Sequence, residues 1–111
     1  MNLKEITAQL GLEVKTGGEF LDREVTGAYC SDLLSDVMAN AKEGNLWITL
    51  QVHQNIVAVA TLLNLAGIII SRGAEPDADT LAKAQAENIP VLTTELPTFP
   101  VAGRLFKLLE A

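Results

Sequence analysis

The chain has 111 residues, 49% hydrophobic and 20% charged, with eight Lys/Arg against fourteen Asp/Glu for a net charge of −6. That is the length of one domain, and the apolar fraction suffices for a core, which excludes disorder as the main state. One Cys and one His exclude an intramolecular disulfide, and a mononuclear zinc site would need carboxylates or a second chain.

Asn2 and Glu5 have the spacing of a capping box, and Leu3, Ile6 and Leu10 follow at helical intervals up to Gly11. Residues 2–10 therefore read as a short amphipathic helix. Leu12 to Lys15 alternates like a half-buried strand, and Thr16-Gly17-Gly18 ends it. Residues 24–30 read as a second strand. Ser31 or Asp32 can cap the next helix, whose apolar face is Leu33, Leu34, Val37, Met38 and Ala41, with Gly44 as its close. Leu46 to Leu50 is β-rich. A polar link, Gln51 to Asn55, leads into a helix from about Gln54 to Ala66, with Gly67 expected just past its end. Ile68-Ile69-Ile70 is an all-apolar run, typical of a strand buried on both faces. After the loop Arg72 to Glu75, Pro76, Asp77 and Asp79 suit a helix start. That helix runs to about Glu87. Ile89 to Thr93 is a strand with Pro90 at its beginning, and Pro100 can open a last helix carrying Val101, Leu105, Leu108 and Leu109.

Strands begin near residues 25, 46, 68 and 90, a spacing of about 22 residues. Strand–helix alternation of this kind implies parallel strands joined by right-handed crossovers. The expected fold is α/β, a largely parallel sheet of about four to six strands with helices in an α/β/α layering. It forms one domain over 1–111, with residues 1–23 as an N-terminal helix and short strand and 24–111 as the βα core. No composition shift or long linker marks a second domain.

The basic residues are scattered, so nothing resembles the positive stripe of a nucleic-acid binder. The N-terminus lacks a basic segment followed by an apolar one, and the most apolar stretch, Ile56 to Ile70, is too short to span a bilayer. The expectation is a cytoplasmic protein that meets neither nucleic acid nor membrane. The patterns G-x-x-x-x-G-K-[ST] and G-x-G-x-x-G are both absent, which disfavours phosphoryl transfer on a P-loop.

In a parallel α/β sheet ligands sit beyond the carboxyl ends of the strands. The loops expected there place Ser31, Asp32, His53, Asn55, Ser71, Arg72, Gly73, Thr93, Thr94 and Thr98 on one rim. Arg72 could hold a phosphate or carboxylate, or pair on the surface with Glu75 or Asp77. His53 could act as a base or a metal ligand, although no H-x-x-x-H spacing supports a metal site, or simply be solvated or cap a helix start. Ser31 and Asp32 suit helix capping better than catalysis, since no nucleophile-elbow motif exists. Cys30 reads as a small hydrophobe at a strand end. No metal, cofactor or catalytic residue is assigned. The helix after Gln54 carries Ile56, Val57, Val59, Leu62 and Leu63 with almost no polar face. Such a helix is buried on several sides, either inside its own fold or in a homodimer. Ile56, Val59, Leu62 and Leu63 are the candidates for that dimer interface.

From Val25 onward the chain resembles the DRTGG domain, a module similar in fold to the N-terminal domain of HPr kinase/phosphorylase. The resemblance lies in Val25 to Ser35, Leu46 to Thr49, Gly67 to Asp77, Asn88 to Thr94, and Thr98-Phe99 with the closing helix. Two loops depart from the family pattern. Gln51 to Asn55 replaces a Gly-Asp-Arg-like turn, and Ser71-Arg72-Gly73 replaces Thr-Gly-Gly. The resemblance implies a regulatory or ligand-sensing module without catalytic activity, standing alone or attached to a larger enzyme. The expected partners are a second copy, a small or anionic ligand and a larger enzyme. The competing readings are a ligand-free scaffold subunit and a small enzyme using His53 or Cys30.

Overall fold

The computed structural model describes residues 1–110. Five strands, β1 (Glu13–Thr16), β2 (Gly27–Cys30), β3 (Asn45–Thr49), β4 (Gly67–Ile70) and β5 (Val91–Thr93), form one sheet in the order β1-β5-β4-β3-β2. β2 to β5 are mutually parallel, and β1 pairs antiparallel with β5. Five helices cover it: α1 (Leu3–Leu10), α2 (Leu34–Asn40), α3 (Asn55–Leu63), α4 (Ala78–Ala86) and α5 (Thr98–Glu110). The expected α/β class, the largely parallel sheet and the strand number are all found. The N-terminal segment completes one edge of the sheet through β1.

The strand residues explain the two layers. Trp47, Ile68, Ile70 and Val91 pack with α2, α3 and α4, whereas Leu46, Ile48, Ile69 and Leu92 pack with α1 and α5. Alternate side chains of each strand thus enter opposite cores, which is why the runs are apolar throughout. The one-way order β2, β3, β4, β5 with right-handed crossovers places α2 to α4 on a single face. α1 starts as its capping box demands, with the Asn2 side chain accepting from the Glu5 N–H and the Glu5 carboxylate accepting from the Asn2 N–H.

Two expectations about α3 need correction. α3 ends at Leu63, not near Ala66. Asn64 turns the chain at φ 57°, and Gly67 is the first residue of β4. Asn tolerates that left-handed turn better than other side-chain-bearing residues, so it serves as the helix stop. The second correction concerns the proposed dimer face. Ile56 and Val59 are buried in the chain's own core, and Leu63 packs against that core. Only Leu62 is open, at 68% exposure. α3 is the middle helix of its layer, flanked by α2 and α4, and these neighbours take up the apolar surface.

Candidate functional site

The carboxyl ends of the parallel strands bring the expected loops together and then bind them to one another. Asp32, two residues beyond β2, accepts from the Thr49 hydroxyl at 2.8 Å and from the Leu50 N–H at 2.7 Å. The Gln51 amide donates to the Asp32 carbonyl at 2.9 Å. Thr49 is buried, so Asp32 both satisfies a buried hydroxyl and fixes the β3–α3 loop. Neither Ser31 nor Asp32 caps α2, contrary to the sequence expectation: Leu33 stands at its N-cap with no side-chain capping bond, and Ser31 accepts from the Leu33 N–H at 3.1 Å in a local turn that precedes the helix.

The β3–α3 loop is tied in turn to the start of α4. His53 Nδ1–H donates to the Asp77 carboxylate at 2.7 Å, and the Val52 carbonyl accepts from the Thr80 hydroxyl and the Asp77 N–H. His53 is two-thirds exposed, and its recorded partner is a carboxylate rather than a nucleophile. Asn55 is exposed at the first residue of α3. Ser71 is fully buried and shares a 2.7 Å hydrogen bond with Thr98 at the start of α5. Gly73 N–H donates to the Thr94 carbonyl, and Arg72 N–H to that of Leu96. Ser31, Asp32, His53, Ser71, Thr94 and Thr98 are therefore engaged in holding four loops to each other or shaping their turns.

Arg72 differs. Its backbone lies at φ 60°, a region that costs a residue with a β-carbon about 1–2 kcal/mol. Its side chain is exposed. The two carboxylates expected from the sequence as its partners are engaged elsewhere: Glu75 lies 3.4 Å from Lys15, and Asp77 holds His53. Among the described residues Arg72 forms no ion pair. Gly73 follows at φ 69°, and a β-carbon there would run into the Glu95 carboxylate.

Beside this loop a small cleft of about 150 Å³ is lined by Glu13, Glu75 and Glu95 with Gly73, Thr93 and Thr94. Two of its three carboxylates, Glu13 and Glu75, lie within 3.4 Å of the Lys15 ammonium. Thr93 is buried. The cleft holds no convergent metal cage. Among the described residues no three His, Cys, Asp or Glu side chains come together to hold an ion.

Cys30, the single thiol, lines a different feature. Burial pushes its pKa up and Asp32 adds to the effect, which keeps it as the less nucleophilic thiol. It faces an apolar groove of about 540 Å³ between the edge strand β2 and α5, bordered by Phe99 and Phe106. The sequence reading missed this groove. The signal for it was present: Phe99, Ala102, Gly103 and Phe106 recur at helical intervals on the side of α5 opposite Val101 and Leu105.

A family model for the DRTGG domain matches residues 5–108, so the match begins twenty residues before Val25 and takes in α1 and β1. No curated protein matches the sequence. Among solved structures the fold is similar to the crystal structure of the CBS and DRTGG domains of the regulatory region of Clostridium perfringens pyrophosphatase, complexed with the activator diadenosine tetraphosphate. The TM-score is 0.69 at 22% identity, covering 94% of this chain and 45% of that one. The likeness is one of fold, and this chain spans less than half of that regulatory region. With nearly its whole length matched by the family model, the chain belongs to the DRTGG domain family.

Proposed function

We propose that this chain is a non-catalytic regulatory module of the cytoplasm, that it works as a homodimer, and that it binds a small anion or anionic metabolite through Arg72. The observation that carries the ligand is Arg72 itself. A guanidinium stands exposed, with no ion pair among the described residues, at the carboxyl end of a parallel sheet, on backbone held in an unfavourable conformation by hydrogen bonds to the neighbouring loop. Strained residues kept in place by their surroundings concentrate at binding sites. The similar pyrophosphatase carries this fold in its regulatory region, which supports attachment to, or partnership with, a larger enzyme for this chain too.

Thermal unfolding with inorganic phosphate, pyrophosphate and adenine nucleotides tests the reading. A ligand at a hundred times its Kd adds about 2.7 kcal/mol. For a domain of this size that raises Tm by roughly ten degrees or more. Arg72→Gln should abolish the rise while leaving the unliganded Tm close to the parent. No shift with any probe, or an equal shift in Arg72→Gln, sinks the anion site.

A scaffold role without ligand is the second reading. It is favoured by the mutual engagement of the rim side chains and by the apolar groove along α5. The same experiment separates the two, because a scaffold responds to none of the probes.

A further inference from the structure

Most of the large apolar side chains that this fold leaves exposed flank one sheet edge. Phe99 is 88% and Phe106 66% exposed on α5, and Leu33 and Met38 are open at α2 on the other face of the same edge strand, β2. Neither phenylalanine belongs to a core cluster, so folding alone does not account for them. Between them lies Gly103. A glycine inside a helix costs about 1 kcal/mol relative to alanine, and a β-carbon at position 103 would meet nothing within 4 Å. The monomer does not need that glycine.

Phe99 and Phe106, and the small residues Ala102 and Gly103, stand at equal distances on either side of the point between Ala102 and Gly103. Phe99, Ala102, Gly103 and Phe106 share one face of α5, and the two rings are about 10 Å apart along the axis. A two-fold axis through that point would cross two α5 helices antiparallel. The small pairs would meet at the crossing, and Phe99 of each copy would lie over Phe106 of the other. The groove along β2, with Ala28 and Cys30 in its wall, would receive the rings. Self-complementarity of this kind is what an isologous contact requires.

We propose that two copies of this chain associate through this face, with α5 crossing α5 at Ala102-Gly103. The proposal rests on the homodimer part of the functional reading and gives it a surface. Charge agrees with a second copy as the occupant. The chain carries a net −6 and repels itself in general, yet among the described residues Glu110 is the one charged side chain lining the groove. Loss of charge at the centre is a mark of protein interfaces. Size agrees as well. The two rings supply roughly 250–400 Å² per copy, a large part of the ~800 Å² that a standard interface takes from each partner. The groove wall and helix flanks add to it.

Sedimentation over a range of protein concentrations should show a dimer for the parent chain. Gly103→Arg, which has open space for its side chain in the monomer, should weaken association by at least ~30-fold with an unchanged far-ultraviolet circular dichroism spectrum. In a Cys30→Ser background, Gly103→Cys should oxidise readily to a covalent dimer, whereas Leu62→Cys on α3 should not. A parent chain that stays monomeric overturns both this surface and the homodimer reading. A parent dimer that survives Gly103→Arg, or that cross-links at 62 and not at 103, overturns this surface and leaves the homodimer standing.

Discussion

Single residues in this domain divide into those that close the structure and those that the closing leaves over. Asp32 belongs to the first group, with two short hydrogen bonds to the β3 end. Asp36 and Tyr29 belong there too. Hydrogen bonds from Ser31, then from Tyr29 and Asn40, hold the Asp36 carboxyl below its ordinary 3.8. The bond to Asp36, with burial, holds the Tyr29 phenol above its ordinary 10.0. A lowered carboxyl pKa gives stability that is present above the unfolded value and lost as pH falls through the folded one. A raised phenol pKa gives stability that is present below the unfolded value and lost as pH rises through the folded one. The pair should thus support the fold only between these limits. Tyr29→Phe should flatten both the acid and the alkaline limbs of a plot of Tm against pH. Arg72 belongs to the second group. Arg72→Gly should raise the stability of the unliganded chain by about 1 kcal/mol in urea unfolding, because glycine adopts φ 60° without the penalty, and it should remove any anion response. A loss of stability instead would show that the side chain has a structural task.

At the scale of elements, α3 and α5 look alike in sequence and differ in what covers them. Both are rich in apolar residues. α3 lies between two helices and over the sheet, so Ile56 and Val57 are wholly enclosed while Leu62 is not. Ile56→Ala should cost about 2–5 kcal/mol, and Leu62→Ser should stay within about 0.5 kcal/mol, as exposed sites do. Chemical denaturation of both variants checks the difference. α5 lies over one face at the β2 edge and buries Val101 and Leu105, which leaves its second apolar stripe in solvent. β1 closes the opposite edge. Its turn needs Gly17 at φ 76°, where a β-carbon would lie 2.6 Å from the Pro90 backbone.

For the molecule as a whole, strand order decides where a ligand can go. Open α/β sheets bind ligands where the strand order reverses and the loops part. Here β2 to β5 follow one another across the sheet without reversal. The loops at their ends touch in sequence and zip together, from Asp32 to Thr49, from His53 to Asp77, and from Ser71 to Thr98. The wide openings lie elsewhere: the α5 groove, and a cavity of about 510 Å³ at the opposite end, bordered by Arg23, Thr26 and Gly44. A domain of this shape leaves an exposed guanidinium at one rim and an apolar edge beside α5.

The sequence by itself determined the α/β class, the parallel run of four strands, the capping of α1 and the loops that meet at the strand ends. Each of these rests on local chemistry: apolar runs of strand length, helix caps, and the direction a crossover must take. It also held the residues of the candidate site, with Arg72 among them. Only the tertiary structure decided that α3's apolar surface is spent inside the fold, that α5's is not, that the rim hydroxyls engage one another, and that β1 joins β5. Those outcomes depend on which neighbour covers which face, and periodicity along one chain shows that a face is apolar without showing what lies against it.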